Sequence, residues 1–219
     1  MKKNISYLLS MLLFFVLTTF FVSCDKDTVI DTSSQLGISH ITYFADLSMQ
    51  GNAYMSVVQG NTFTDPGCTA TQEGQTIPVT TTGSVNTSQV NFYTLTYSAV
   101  NSDGYSSSVN RTVAVLPSAE VPGTDISGSY YYVATGGNNS TITKLAPGLY
   151  STTNCWSNAT TISMIFICVD GSSIIIPFQE TPYGGLFGTG TLATDGSLTY
   201  VISLTDQGIS NSSRAWHKQ

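Results

Sequence analysis

The chain has 219 residues, enough for one large or two small domains. Only 9% are charged, the net charge is −6 and no basic cluster occurs, which excludes nucleic acid as a partner because nothing could neutralise its phosphates. Many Thr, Val and Ile, 12 Tyr and few Leu, Lys and Glu argue for strands over helices, and 19 Gly supply turns.

Residues 1–23 read as a lipoprotein signal peptide. Lys2 and Lys3 give a basic start, and Ile5 to Val22 is almost wholly apolar. The small residue Ser23 stands before Cys24, the position where a bacterial lipoprotein is cut and lipidated. An uncleaved N-terminal anchor is the other reading. Both place the rest of the chain outside the inner membrane. Several acyl chains on Cys24 would hold it stably, which one chain would not. Removing residues 1–23 leaves five basic residues against 13 acidic, a net of −8. Residues 24–36 are polar and lack periodicity, so they read as a tether. Asp25-Lys26-Asp27 resembles the short acidic stretch of Bacteroides-type surface lipoproteins. That resemblance implies an outer-membrane lipid anchor, at the cell surface or else facing the periplasm.

Residues 37–117 carry short strand patterns at regular spacing. Ile38 to Leu47, Tyr54 to Val58, Cys68 to Thr71 and Ile77 to Val85 are separated by turn chemistry at Gly60-Asn61, Asp65-Pro66-Gly67 and Glu73-Gly74. Phe92 to Val100 alternates strictly, placing Tyr93, Leu95, Tyr97 and Ala99 on one face. After Ser102-Asp103-Gly104 the strand from Ser107 to Leu116 puts Val109, Arg111, Val113 and Val115 on one side. This spacing predicts an antiparallel sandwich. Gly60, Asp65-Pro66-Gly67, Ala70, Gly74, Tyr93-x-Leu95-x-Tyr97 and Arg111 to Val115 resemble the bacterial immunoglobulin-like domain of the pesticidal crystal protein type. The resemblance implies a spacer or binding module without catalytic residues. Only Glu73 remains of the acids often found after Ala70, so no calcium site is expected.

Two prolines and a glycine mark residues 118–123 and their border as a linker. Residues 124–219 read as a second antiparallel domain, either a sandwich or barrel-like. Hairpin tips fall at Asp170-Gly171 and Asp195-Gly196. Its Gly-Ser-Tyr, Ile-Thr-Lys and Pro-Gly-Leu-Tyr segments resemble the C-terminal domain of two-domain Bacteroides-type surface lipoproteins of unknown function.

Catalysis finds little support. The histidines are His40 and the near-terminal His217, and no metal-ligand spacing or nucleophile elbow occurs, so neither a metal nor a cofactor is expected. Gly188-Thr189-Gly190 reads as a bend in a sheet rather than a phosphate loop. Glu180 and Asp206 are the carboxylates that could meet for glycoside hydrolysis. Binding fits better, because flat rings stack on sugars while amides and hydroxyls bond their oxygens. Trp156 among Asn154, Ser157 and Asn158, Tyr183 in Pro182-Tyr183-Gly184, and Trp216 are the candidate ligand-binding rings. Cys155 and Cys168 could bridge or be buried free thiols, and Cys68 reads as core. The expectation is a non-catalytic lipoprotein that binds glycan or other surface proteins beside a polysaccharide-uptake system. A structural or adhesive spacer is the alternative.

Overall fold

A computed structural model describes residues 41–137 and 139–219. The signal segment, Cys24, the tether and His40 lie outside the described residues. The chain divides into two units, Met1–Thr42 and Tyr43–Gln219. Only residues 41 and 42 of the first are described.

The second unit opens with seven strands: β1 (Asp46–Met49), β2 (Tyr54–Val58), β3 (Cys68–Gln72), β4 (Gln75–Ile77), β5 (Thr80–Thr82), β6 (Phe92–Val100) and β7 (Ser106–Leu116). They form two sheets, β1-β3-β4 and β2-β7-β6-β5, in which β2 runs parallel to β7 and the other pairs are antiparallel. The expected strand from Ile38 to Leu47 is shorter and later: residues 41–45 are not strand, and pairing with β3 starts at Asp46. The Thr-rich stretch from Ile77 to Val85 is likewise broken, because Pro78 has no N–H to offer a ladder.

Strand β6 buries Leu95, Tyr97 and Ala99 as its alternation requires, and Ala99 packs with Ala45 and Ala70 of the opposite side. The end of β7 breaks the alternation. Val113, Ala114, Val115 and Leu116 are all buried. The second face of β7 is covered too, since Ala114 and Leu116 pack against Leu149 and Ile167 of the following strands. A strand covered on both sides reads as a continuous apolar run.

Eight further strands follow: β8 (Gly128–Tyr132), β9 (Asn139–Ala146), β10 (Leu149–Thr152), β11 (Met164–Ile167), β12 (Ser173–Thr181), β13 (Gly184–Leu192), β14 (Ser197–Leu204) and β15 (Ile209–Lys218). Each pairs antiparallel with its chain neighbour, and β15 closes onto β8 through Trp216↔Tyr132 and Lys218↔Tyr130. The second domain is therefore a closed up-and-down barrel and not a sandwich. Eight strands leave an interior that side chains fill. Here Tyr130, Tyr150, Phe166, Ile176, Tyr200 and Trp216 fill much of it. Gly188 and Gly190 lie within β13. A side chain at Gly188 would strike the Val201 carbonyl, and one at Gly190 the Thr199 carbonyl, so both glycines let β14 coil close.

The segment between sandwich and barrel is tied down. Glu120 accepts hydrogen bonds from Lys144 Nζ at 2.9 Å, the Gly148 N–H at 2.8 Å and the Tyr150 hydroxyl at 3.3 Å. The Val121 N–H donates to the Val169 carbonyl at 2.8 Å.

Candidate functional site

One end of the barrel gathers the β8–β9 loop, the β10–β11 loop and the turns after β12 and β14. The β10–β11 loop carries Trp156, and one side chain organises it. Asn154 Oδ1 accepts from the Trp156 and Ile162 N–H groups at 2.9 and 3.3 Å, and its Nδ2 donates to the Ser157 carbonyl at 2.8 Å. Ser140 Oγ lies 2.6 Å from both Thr152 Oγ1 and the Asn154 carbonyl. These bonds turn the loop inward, and Trp156 closes the barrel end with 9% of its surface exposed.

Two of the three candidate rings are therefore core residues. Trp156 faces inward because Asn154 spends its polar groups on the loop rather than on water. Trp216 is 1% exposed, since its strand position points into the barrel, and its ring lies 5.2 Å from that of Tyr132. Neither offers an open ring face to a sugar. Tyr183 sits at the β12–β13 turn and is 39% exposed. The sequence reading missed its neighbours. Phe178 and Phe187 are 52% and 42% exposed on the same hairpin, and the Phe178 ring lies against Gly185, where any side chain would strike it. In the tyrosine run, Tyr130 and Tyr132 belong to the core and Tyr131 stacks on His217, 5.5 Å between ring centroids.

Arg214 of β15 is a residue that the sequence does not single out. It stands opposite Tyr200 on β14 and two residues before Trp216, on the same inward face. Its guanidinium carbon lies 3.7 Å from the Trp156 ring centroid. Among the described residues it makes no hydrogen bond and no ion pair. Three buried polar atoms of these neighbours make no hydrogen bond among the described residues: Arg214 Nε, Tyr200 Oη and Trp216 Nε1. Thr152 is near the Tyr200 hydroxyl, and beside its contacts with Ser140 and the Asn154 carbonyl its own hydroxyl keeps acceptor capacity, so Tyr200 is the least isolated of the three. Burial drives the Tyr200 phenol well above its ordinary pKa, so it stays protonated. An unpaired buried donor costs roughly 1–3 kcal/mol, so such a group calls for an explanation.

The remaining candidates are quieter. Cys155 and Cys168 are both buried free thiols. Burial pushes Cys155 up to about 12 and Cys168 up to about 11, which keeps both protonated and unreactive. The Asp206 carboxylate accepts from the Thr205 hydroxyl at 2.8 Å and packs on Gly184, which accounts for it as a turn residue. Asp170 and Asp195 accept from N–H groups of their own turns, as hairpin tips require. Among the described residues no three His, Cys, Asp or Glu side chains come together. A cleft of about 450 Å3 is lined by Tyr54, Ser151, Thr153, Ser163, Gln179 and Glu180.

No curated protein matches the chain. Among solved structures it is similar to the lipoprotein BT2262 from Bacteroides thetaiotaomicron, at 22% identity over 80% of this chain and 100% of that one, TM-score 0.40. It is also similar to a structure of CBM51-2 in complex with GlcNAc and INT domains from Clostridium perfringens ZmpB, at 16% identity over 79% of this chain and 43% of that one, TM-score 0.30. Residues 47–115, which span both sheets of the sandwich, match the family model described as bacterial surface protein, Ig-like domain.

Proposed function

We propose that this chain is a non-catalytic lipoprotein of the outer membrane, held by lipid on Cys24, whose sandwich carries the barrel to a glycan or partner protein at the cell surface. The observation that carries this reading is the match of residues 47–115 to a surface-protein domain, downstream of an apolar segment ending in Ser23-Cys24. The pesticidal crystal type is the finer assignment for that domain. The cleft lined by Tyr54 supports glycan as the ligand, because one part-exposed ring stands among hydroxyls, an amide and a carboxylate. The exposed rings of Phe178, Tyr183 and Phe187 offer a surface for a partner protein.

Two measurements test it. Labelled palmitate should enter the full chain and be lost in Cys24→Ala, and protease added to intact cells should degrade the protein. A chain that takes no lipid would overturn the anchor, and full protection would move it to the periplasmic side. The detergent-solubilised chain is then screened on a glycan array with Tyr54→Ala as control. Absence of binding to every polysaccharide would leave the spacer role.

A further inference from the structure

We propose that the barrel end around Arg214 is a binding site for a carboxylate, which enters beside the Trp156 ring and is held by the guanidinium edge. Two independent observations meet there. One is a part-exposed arginine whose five N–H donors bond nothing among the described residues. The other is a pair of buried groups on the same inward face, Tyr200 Oη and Trp216 Nε1, that form no hydrogen bond of good geometry among the described residues. Both side chains are about 99% buried, so bulk water does not serve them.

Two of the other cations are paired, while Lys218 at the far end of the same strand lies 5.9 Å from the Tyr130 ring centroid without an ion pair among the described residues. Arg111 is paired with Asp65, and Lys144 with Glu120 at 2.9 Å. The acids at the end that holds Arg214 do not play this part. Asp206 is turned to Thr205, and Glu180 is exposed on β12 and makes no ion pair among the described residues. The contact with the Trp156 ring face holds the guanidinium in place without using any of its N–H donors. A planar fork of N–H groups matches the two oxygens of a carboxylate.

The orphan atoms also decide the class of ligand. Arg214 Nε–H and Trp216 Nε1–H can only donate, and the Tyr200 hydroxyl can donate, so the ligand must be rich in acceptors. One positive charge balances one negative charge. A phosphate dianion would lack a second cation here, and a neutral sugar would leave the guanidinium uncompensated. The carboxylate could belong to a uronic acid within a glycan or to a small organic acid. The first source rests on the glycan reading above; the second does not.

The test uses the full detergent-solubilised chain and reads indole fluorescence and calorimetric heat. Probes are galacturonate, an oligogalacturonate, the methyl ester of galacturonate, galactose and acetate. Galacturonate should bind at least ten-fold more tightly than its ester or galactose. Arg214→Gln should remove that preference while its unfolding midpoint stays near that of the parent. Arg214→Lys, which keeps the charge but loses the fork, should bind at an intermediate level. Preference for the oligogalacturonate over acetate supports a glycan source. Equal binding of acetate supports the site with a small acid as its ligand. Equal affinity for galacturonate and its ester, or binding unchanged by Arg214→Gln, overturns the site and leaves glycan binding elsewhere intact. If no carboxylate binds, trapped water satisfies these donors and the proposal is wrong, whatever the palmitate and protease results.

Discussion

Arg111 in the sandwich and Arg214 in the barrel are the same side chain set to different work. Arg111 is fully buried and saturated. It donates to Asp65, to the Tyr97 hydroxyl at 2.7 Å, to the Asn52 carbonyl at 3.1 Å and to the Gln50 carbonyl. Tyr97 in turn donates to Asp65 at 2.6 Å. This network joins β6, β7 and the loops before β2 and β3, so it is a structural clasp. Arg214 meets one aromatic ring and, among the described residues, no acceptor. A satisfied guanidinium holds a fold together, whereas one with spare donors at a barrel end is available to a ligand.

Removing the clasp should have the largest effect. Arg111→Met leaves Asp65 without its counter-charge, and the Gln50 and Asn52 carbonyls without donors. The expected loss is about 3–5 kcal/mol, read from the urea midpoint. Arg111→Met combined with Asp65→Asn should lose less than the two single losses together, because the pair fails as a unit. A loss under about 1 kcal/mol would remove the clasp from the comparison.

Acid should loosen the same network. Burial pushes the Asp65 carboxyl up, but hydrogen bonds from Tyr97 and the Gly67 backbone, with the Arg111 charge, outweigh it and hold the pKa below the ordinary value. A carboxyl lowered by folding adds stability above its unfolded pKa and loses it as pH falls through the folded value. The parent should therefore weaken below about pH 4, the ordinary carboxylate range, and Asp65→Asn should flatten that part of the profile. An unchanged slope in Asp65→Asn would assign the acid sensitivity to other groups.

The cysteines extend the contrast between the two regions. Cys68 of the sandwich is part-exposed, whereas Cys155 and Cys168 lie in the barrel core. Burial raises the pKa of all three, to about 12 and 11 for the barrel pair. At pH 8, iodoacetamide should modify Cys68 first and reach the other two only after denaturation. Mass spectrometry of the native chain reads this directly. Failure to label Cys155 and Cys168 in denaturant without reductant would mean that they are bridged.

The sequence showed the sandwich because its signals are local. Strict alternation from Tyr93 to Ala99 needs only the strand itself, and Asp65-Pro66-Gly67 with Tyr97 and Arg111 carries the resemblance because those residues bond to one another. Features set by distant partners were hidden. The two-sided burial at the end of β7 depends on Leu149 and Ile167. Closure of the barrel depends on β15 meeting β8 some 84 positions away, at Trp216↔Tyr132. Trp156 looked exposed because its neighbours are polar, yet Asn154 bonds those neighbours to the loop. Arg214 could have been found from parity. Trp216 is core, so the residue two before it faces the same way, and an inward arginine without a nearby acid is the signal.

Replacing Arg214 should change stability least of all. Arg214→Gln loses the stacking on Trp156, worth about 0.5–1 kcal/mol at a part-exposed site. It also relieves a part-buried charge that no carboxylate among the described residues compensates, which offsets some of that loss. No hydrogen bond among the described residues is broken. The urea midpoint should therefore stay within about 0.5 kcal/mol of the parent, with an unchanged slope. Set against a loss of several kcal/mol for Arg111→Met, a near-zero change shows that Arg214 is not retained for the fold. A loss as large as that of Arg111→Met would make Arg214 a second clasp, and the unpaired donors around it would then need a structural partner instead of a ligand.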